Sequence, residues 1–284
     1  MSNDYVKQMV EHLSKYKKAT LRITESGLYQ GNEYQHILPL SIKSHNLLPI
    51  LWQQYPSLLN AHGRPIKQDE YPPLLDAHGQ GIKWHTYAHH LNSSQVLVIN
   101  LFQPLIQNHK EVLEVLLGLP APLITAGFEK VFDRSEGTNV DFFAESQGGQ
   151  SICIEVKLTE QDFAPTTAVK QGIRYQKYYL DWLIKATILG DDVRQQAFFG
   201  AYQFYRNAKL ATADQKVWFL LPEQNTKINA LAEKCLGTLR PEVRKQVEVV
   251  GLTAFLEQLC NLVADKPDLK KHYEHFKKKY LLEQ

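Results

Sequence analysis

The 284-residue chain can bury a sizeable core in one large domain or two small ones, and its 44% hydrophobic content is ordinary for a globular protein. A net charge of +2 excludes a globally basic nucleic-acid binder but leaves room for a local basic surface, and no apolar run approaches the ~20 residues of a membrane span. Three widely spaced cysteines (Cys153, Cys235, Cys260) offer no disulfide framework and no zinc spacing, and the start Met1-Ser2-Asn3-Asp4 lacks the layout of a secretory signal, so a cytoplasmic protein is expected.

Along the chain, Tyr5, Met9 and Leu13 at spacing four predict a helix over residues 4–18, with Lys15, Lys17 and Lys18 at its C-terminal end. Residues 24–92 are cut into short pieces by Gly27, Gly31, Gly63, Gly79, Gly81, Pro39, Pro49, Pro56, Pro65, Pro72 and Pro73. They read as an irregular lobe that shapes part of a substrate groove. Ser93 or Ser94 caps an apolar helix to about Leu105, and Asn108 caps a second one to Leu117, stopped by Gly118 and Pro120. A third helix is expected over 123–134. Val169, Ile173, Leu180 and Ile184 mark a long amphipathic helix, followed by another over 193–209. A strand at 216–221, a helix at 228–236, a strand at 246–250 and a helix at 253–262 complete an alternation typical of an α/β core. The tail from Lys266 mixes lysines with aromatics and reads as an amphipathic helix with a solvated basic face.

The chemistry-bearing segment is Asn139-Val140-Asp141-Phe142-Phe143, a Gly148-Gly149 turn, and Ile152-Cys153-Ile154-Glu155-Val156-Lys157. It reads as a β-hairpin, the glycines supplying the turn. Alternation puts Cys153, Glu155 and Lys157 on one face and the aliphatic residues on the other. Two carboxylates and a lysine in apolar strands are costly to bury unless paired or bound to metal. A hard divalent cation held by Asp141 and Glu155, with Lys157 beside it, accounts for all three; the plainer reading is a surface hairpin with one polar face.

This spacing resembles the PD-(D/E)XK nuclease superfamily: an Asp, a turn, then Glu-x-Lys on the next strand. The segments His90-Leu91-Asn92-Ser93-Ser94-Gln95, Val98-Ile99-Asn100-Leu101-Phe102-Gln103-Pro104-Leu105, Ile154 to Glu160 and Tyr202-Gln203 are similar to a family of bacterial restriction endonucleases within it, over roughly residues 30–255. The motif's opening proline is absent here. The resemblance implies a restriction-endonuclease-like α/β fold: a mixed β-sheet flanked by helices, with the irregular N-terminal lobe (1–92) packed on a nuclease core (93–284). It implies a magnesium-dependent DNA endonuclease, manganese substituting, in which Asp141, Glu155 and the Val156 carbonyl hold the metal and Lys157 serves the attacking water. Glu129, from the expected helix before the hairpin, and Gln203, on a later helix, join the site, with Arg206 a weaker candidate.

DNA is the expected partner, and a double-strand cut suggests a homodimer. No phosphate-binding loop is present, so no nucleotide cofactor is expected, and no Gly-x-Ser-x-Gly elbow points to a serine hydrolase. His85 and His89 stand four apart, a spacing that binds zinc on a helix, but without HExxH or a nearby cysteine the surface or hydrogen-bonding reading is preferred for them and for His90. The alternatives are a nucleic-acid-binding or assembly protein on the same fold and a repair or single-strand nuclease.

Overall fold

The computed structural model describes residues 4–53, 71–72 and 74–282. The breaks expected at Pro56, Gly63, Pro65 and Pro73 lie outside the described residues. In chain order the elements are α1 (Asp4–Tyr16), β1 (Gly27–Tyr29), β2 (Asn32–Tyr34), α2 (Pro49–Gln53), α3 (Ser94–Asn108), α4 (Lys110–Leu117), β3 (Leu123–Asp133), β4 (Thr138–Ser146) and β5 (Ser151–Val156). There follow α5 (Ala168–Arg174), α6 (Leu180–Ala186), α7 (Asp191–Gly200), α8 (Tyr202–Ala208), β6 (Gln215–Leu221), α9 (Thr226–Leu236), α10 (Pro241–Arg244), β7 (Val247–Gly251), α11 (Leu252–Leu262) and α12 (Pro267–Tyr280).

These form two compact units, residues 1–118 with 253–284, and residues 119–252. The division expected at 92/93 therefore falls inside the first unit. The reason is packing. Helix α3 is apolar nearly all round, burying Val96, Leu97, Val98, Ile99, Leu101, Phe102 and Leu105, and needs cover on several sides. Helices α4 and α12 supply it, and α12 also lies against α1. The tail is amphipathic as expected, with Leu269, Tyr273, Phe276 and Tyr280 inward, but its inner face also carries His272 and Lys279. His272 Nε2 lies 2.7 Å from the Asn100 carbonyl, Asn100 donates to the Tyr280 hydroxyl at 2.9 Å, and Lys279 donates to the backbone and side-chain oxygens of Asn46.

Local signals in this unit hold with small shifts. Tyr5, Met9 and Leu13 are the buried stripe of α1. Lys17 is turned inward instead of solvated, donating to the carbonyls of Glu25 and Ile37. Ser93 caps α3, its hydroxyl accepting from Val96 N–H. Helix α3 runs through Asn108, so His109, not Asn108, stands at the start of α4; Gly118, at φ 61°, ends it.

The second unit is built on one five-stranded sheet of order β3-β4-β5-β6-β7. The first three strands are antiparallel neighbours, and β6 and β7 add in parallel. Helices span both parallel crossovers, giving the expected mixed sheet flanked by helices. Every residue of central strand β5 is buried. The β4–β5 hairpin closes at Ser146–Gln150, with Gly149 alone taking the positive φ (81°).

Three helical expectations are corrected here. Residues 123–134 form strand β3, paired to β4 along almost its whole length. Phe128 and Phe132 at spacing four mimic a helical stripe, but Ile124, Thr125, Gly127 and Val131 are poor helix formers, and β4 offers an edge to pair with. The helix over 168–186 exists, interrupted by a π-helical turn at Tyr175–Tyr179, yet its expected inner stripe faces out. Val169 is 97% exposed and Ile173 86%, whereas Tyr175, Tyr179 and Leu183 are buried. The extra residue of the π turn rotates the two halves against each other, so no single stripe runs through both. The helix expected over 193–209 is likewise two, α7 and α8, broken at Ala201 (φ −139°, ψ 51°).

Candidate active site

The register of β4 against β5 decides where the carboxylates lie. Phe142 pairs with Ile154 and Phe143 with Cys153, so the same register places Asp141 opposite Glu155. Directly opposed residues of an antiparallel pair share a face. Asp141 Oδ2 accepts from the backbone N–H of Val156 at 2.8 Å, tying the first carboxylate to the strand that carries the second. Lys157 follows Glu155 by two and keeps its face; its backbone N–H still bonds to Leu220 of β6.

Glu155 is 2% exposed and is held by three donors: Lys157 Nζ and Gln203 Nε2 at Oε1 (2.7 and 2.5 Å) and Asn207 Nδ2 at Oε2 (2.8 Å). The two amides stand four apart on one face of α8. That helix is seated by Phe204, whose ring stacks on Phe219 of β6 at 4.6 Å, and Phe163 packs edge-on against both. Phe219 is the parallel-strand partner of Glu155, so the aromatic contact that positions the helix also aims Gln203 and Asn207 at the carboxylate. Asn207 is a site residue that the sequence reading passed over; its spacing of four from Gln203 was the available signal. Glu160 was passed over as well. It accepts from the N–H groups of Leu158 and Thr159 and adds negative charge near Lys157.

Glu129 reaches the site from β3, not from a helix. Its position lies between the Phe128–Phe142 and Lys130–Val140 pairs, level with Asp141, and its Oε2 accepts from Asn139 Nδ2 at 2.7 Å. It holds φ at +51°, a left-handed conformation rare inside a strand for any residue but glycine. Arg206 turns aside, its guanidinium 5.7 Å from the Tyr202 ring centre.

The electrostatics are lopsided. Burial, then Glu155, raise the Asp141 pKa well above the ordinary carboxylate value; Glu129 adds to this, and Lys157 offsets only part. For Lys157 burial opposes the charge, but Glu155, Glu160 and Asp141 outweigh it and raise its pKa. The lysine is therefore a fixed cation at neutral pH, and Asp141 is a carboxyl with too little positive charge around it. That deficit, with hard oxygen donors on one face, fits a divalent cation between Asp141 and Glu155. Among the described residues no group of three His, Cys, Asp or Glu side chains gathers as a metal cluster. The His85–His90 segment is turns, not a helix, and its spacing brings no ligand pair together on a helix face.

The chain matches, over residues 11–281, the family model described as restriction endonuclease associating with ARP. It belongs to that family. The family extends almost from end to end, across both compact units. No curated protein and no solved structure matches the chain. No helix among the described residues is long and apolar enough to cross a membrane.

Proposed function

We propose that this protein is a magnesium-dependent DNA endonuclease of restriction type, with its active site on the β4–β5 hairpin. The observation that carries the reading is the register that sets Asp141 against Glu155 with Lys157 bonded to the latter. Asp141, Glu155 and the Val156 carbonyl would hold Mg2+, with Mn2+ able to substitute. When bound, the metal acidifies a water and stabilises negative charge on the scissile phosphate. Lys157, kept protonated by its acidic neighbours, orients the attacking water and offsets phosphate charge. Gln203 and Asn207 fix the Glu155 carboxylate, and Glu129 tunes Asp141. Two sites are needed for a double-strand cut, so the working form is a homodimer on duplex DNA.

One observation favours a second reading. Both Glu155 oxygens are already occupied by donors, as suits a nucleic-acid-binding or assembly protein that has no use for the metal. Incubating the pure protein with plasmid and genomic DNA, with magnesium or with EDTA, separates the two. The endonuclease reading expects magnesium-dependent nicking or linearisation; intact DNA under bound protein would establish the second. A single-strand or repair nuclease would show itself by preferring denatured substrate.

The raised Asp141 pKa gives an independent test. A carboxyl whose pKa is raised binds metal in competition with its proton, so Mg2+ affinity should fall more steeply on acidification in the wild type than in Asp141→Asn. The same pH dependence in Asp141→Asn would remove Asp141 from the ligand set.

A further inference from the structure

The first unit contains an aromatic cavity that the catalytic reading does not use. It has a volume of about 300 Å3 and is lined by Tyr29, Tyr34, His36, Ile37, Tyr87, His90 and Asn92. Its walls are built, not accidental. Strands β1 and β2 form a hairpin whose two loop residues, Gln30 and Gly31, both take positive φ (50° and 80°), as a tight primed turn requires. Gly27 pairs with Tyr34 and Tyr29 with Asn32, so the two tyrosines share a face on the diagonal, with ring centres 6.1 Å apart. Gly27 lets the hairpin lie directly on the next segment: a Cβ there would stand 2.5 Å from the Leu38 carbonyl oxygen.

The opposite wall is fastened as firmly. Ile37 bridges to His90, Leu38 N–H bonds to the His89 carbonyl and Leu91 N–H to the His36 carbonyl. The buried Asn46 amide donates to the carbonyls of Ala88 and His90 at 2.6 and 2.7 Å. This sets Tyr87 and His90 edge-on to Tyr29, at 5.0 and 5.2 Å. His90 Nε2 is buried without a hydrogen-bond partner among the described residues.

We infer that this cavity receives an unpaired nucleobase of the DNA substrate. The inference rests on the proposal that the protein acts on DNA. Tyrosine rings offer stacking faces that suit any base, and Tyr34 and Tyr87 present theirs at the partly exposed mouth of the cavity. Burial, with His89 and His36 adding, lowers the His90 pKa to about 4, so its ring is neutral at pH 7 and brings no charge to the cavity wall. No carboxylate is among the residues lining the cavity, which favours a neutral heterocycle over the methylammonium groups that tyrosine cages also attract. The volume sits at the low end of small-ligand sites (~300–1,000 Å3), suited to a ring system and not to a folded peptide segment.

The test is fluorescence anisotropy with the full-length protein in EDTA, so that nothing is cut. Short labelled duplexes carry one unpaired base, or an abasic residue at the same place. Base–aromatic stacking predicts a preference of roughly 5- to 150-fold for the base-bearing duplex. Tyr87→Ala and Tyr29→Leu should each erase most of that preference, and Tyr87→Phe, which keeps the ring, should retain it. Equal affinity of the wild type for the two duplexes overturns the inference while leaving DNA binding in place. So does a preference that survives both ring-removing variants. A trimethyl-lysine peptide that binds where the base does not would overturn it in favour of a cage. Absence of binding to any DNA would remove the nuclease reading together with the cavity's role.

Discussion

Lys157 and Lys279 are both buried, and their surroundings treat them in opposite ways. Lys157, in the sheet unit, bonds to Glu155 and has Glu160 and Asp141 nearby; its pKa rises despite burial. Lys279, in the helical unit, meets the neutral oxygens of Asn46 and the face of the Tyr280 ring, and burial drives its pKa well down. Depth is the same, so countercharge decides. At the sheet, acidic neighbours keep a cation available for chemistry. Among the helices, the amine is a hydrogen-bond donor whose charge is a burden.

The largest effect should come from removing the paired lysine. Lys157→Ala is expected to lower plasmid nicking by at least ~100-fold, the low end for loss of a proton-transfer or electrostatic group. Gln203 and Asn207 still bond to Glu155, so the circular dichroism spectrum should match the wild type. Full nicking activity in the variant would end the catalytic side of the comparison.

The second test removes support from the countercharge itself. Asn207→Leu takes a donor from the buried Glu155 carboxylate, and a hydrogen bond to a charged group contributes ~1.5–3 kcal/mol. Urea denaturation should show a loss of that size. An unchanged midpoint would mean that Asn207 merely fills space.

The unpaired lysine should reveal itself through pH. Between its lowered folded value and the ordinary 10.5, the unfolded chain binds the extra proton, so stability rises with pH across that window. Lys279→Met should flatten this rise relative to wild type when unfolding is compared at pH 7 and pH 10. Parallel curves would show that Lys279 keeps its proton in the folded state. The smallest effect belongs to the outward stripe: Ile173→Ser should shift stability by no more than ~0.5 kcal/mol, since the side chain leaves no contact behind. A loss of several kcal/mol would mean that a partner covers that face.

The hairpin was legible because alternation over two short strands and a glycine turn admit one register, and register alone places Asp141 against Glu155. Gln203 was legible only through resemblance, and Asn207 only through its spacing of four from Gln203, because the break at Ala201 and the Phe204–Phe219 stack that aim α8 depend on tertiary packing. Strand β3 was misread since Phe128 and Phe132 satisfy a helical period until β4 is present to pair with. The exposed Val169 and Ile173 make the same point from the other side: spacing four predicts a face, but a single π turn redirects it. In the first unit the broken sequence of residues 24–92 hides an ordered aromatic wall, held by backbone pairings between segments some fifty residues apart.

Because α12 lies against α1 and α3, the first unit is discontinuous in the chain, while residues 119–252 are continuous. During synthesis the sheet unit can close as soon as β7 has emerged, but α3 must wait, its apolar surface uncovered, until residues 267–280 leave the ribosome. The helical unit can therefore be completed only after the whole sequence of the sheet unit has been made.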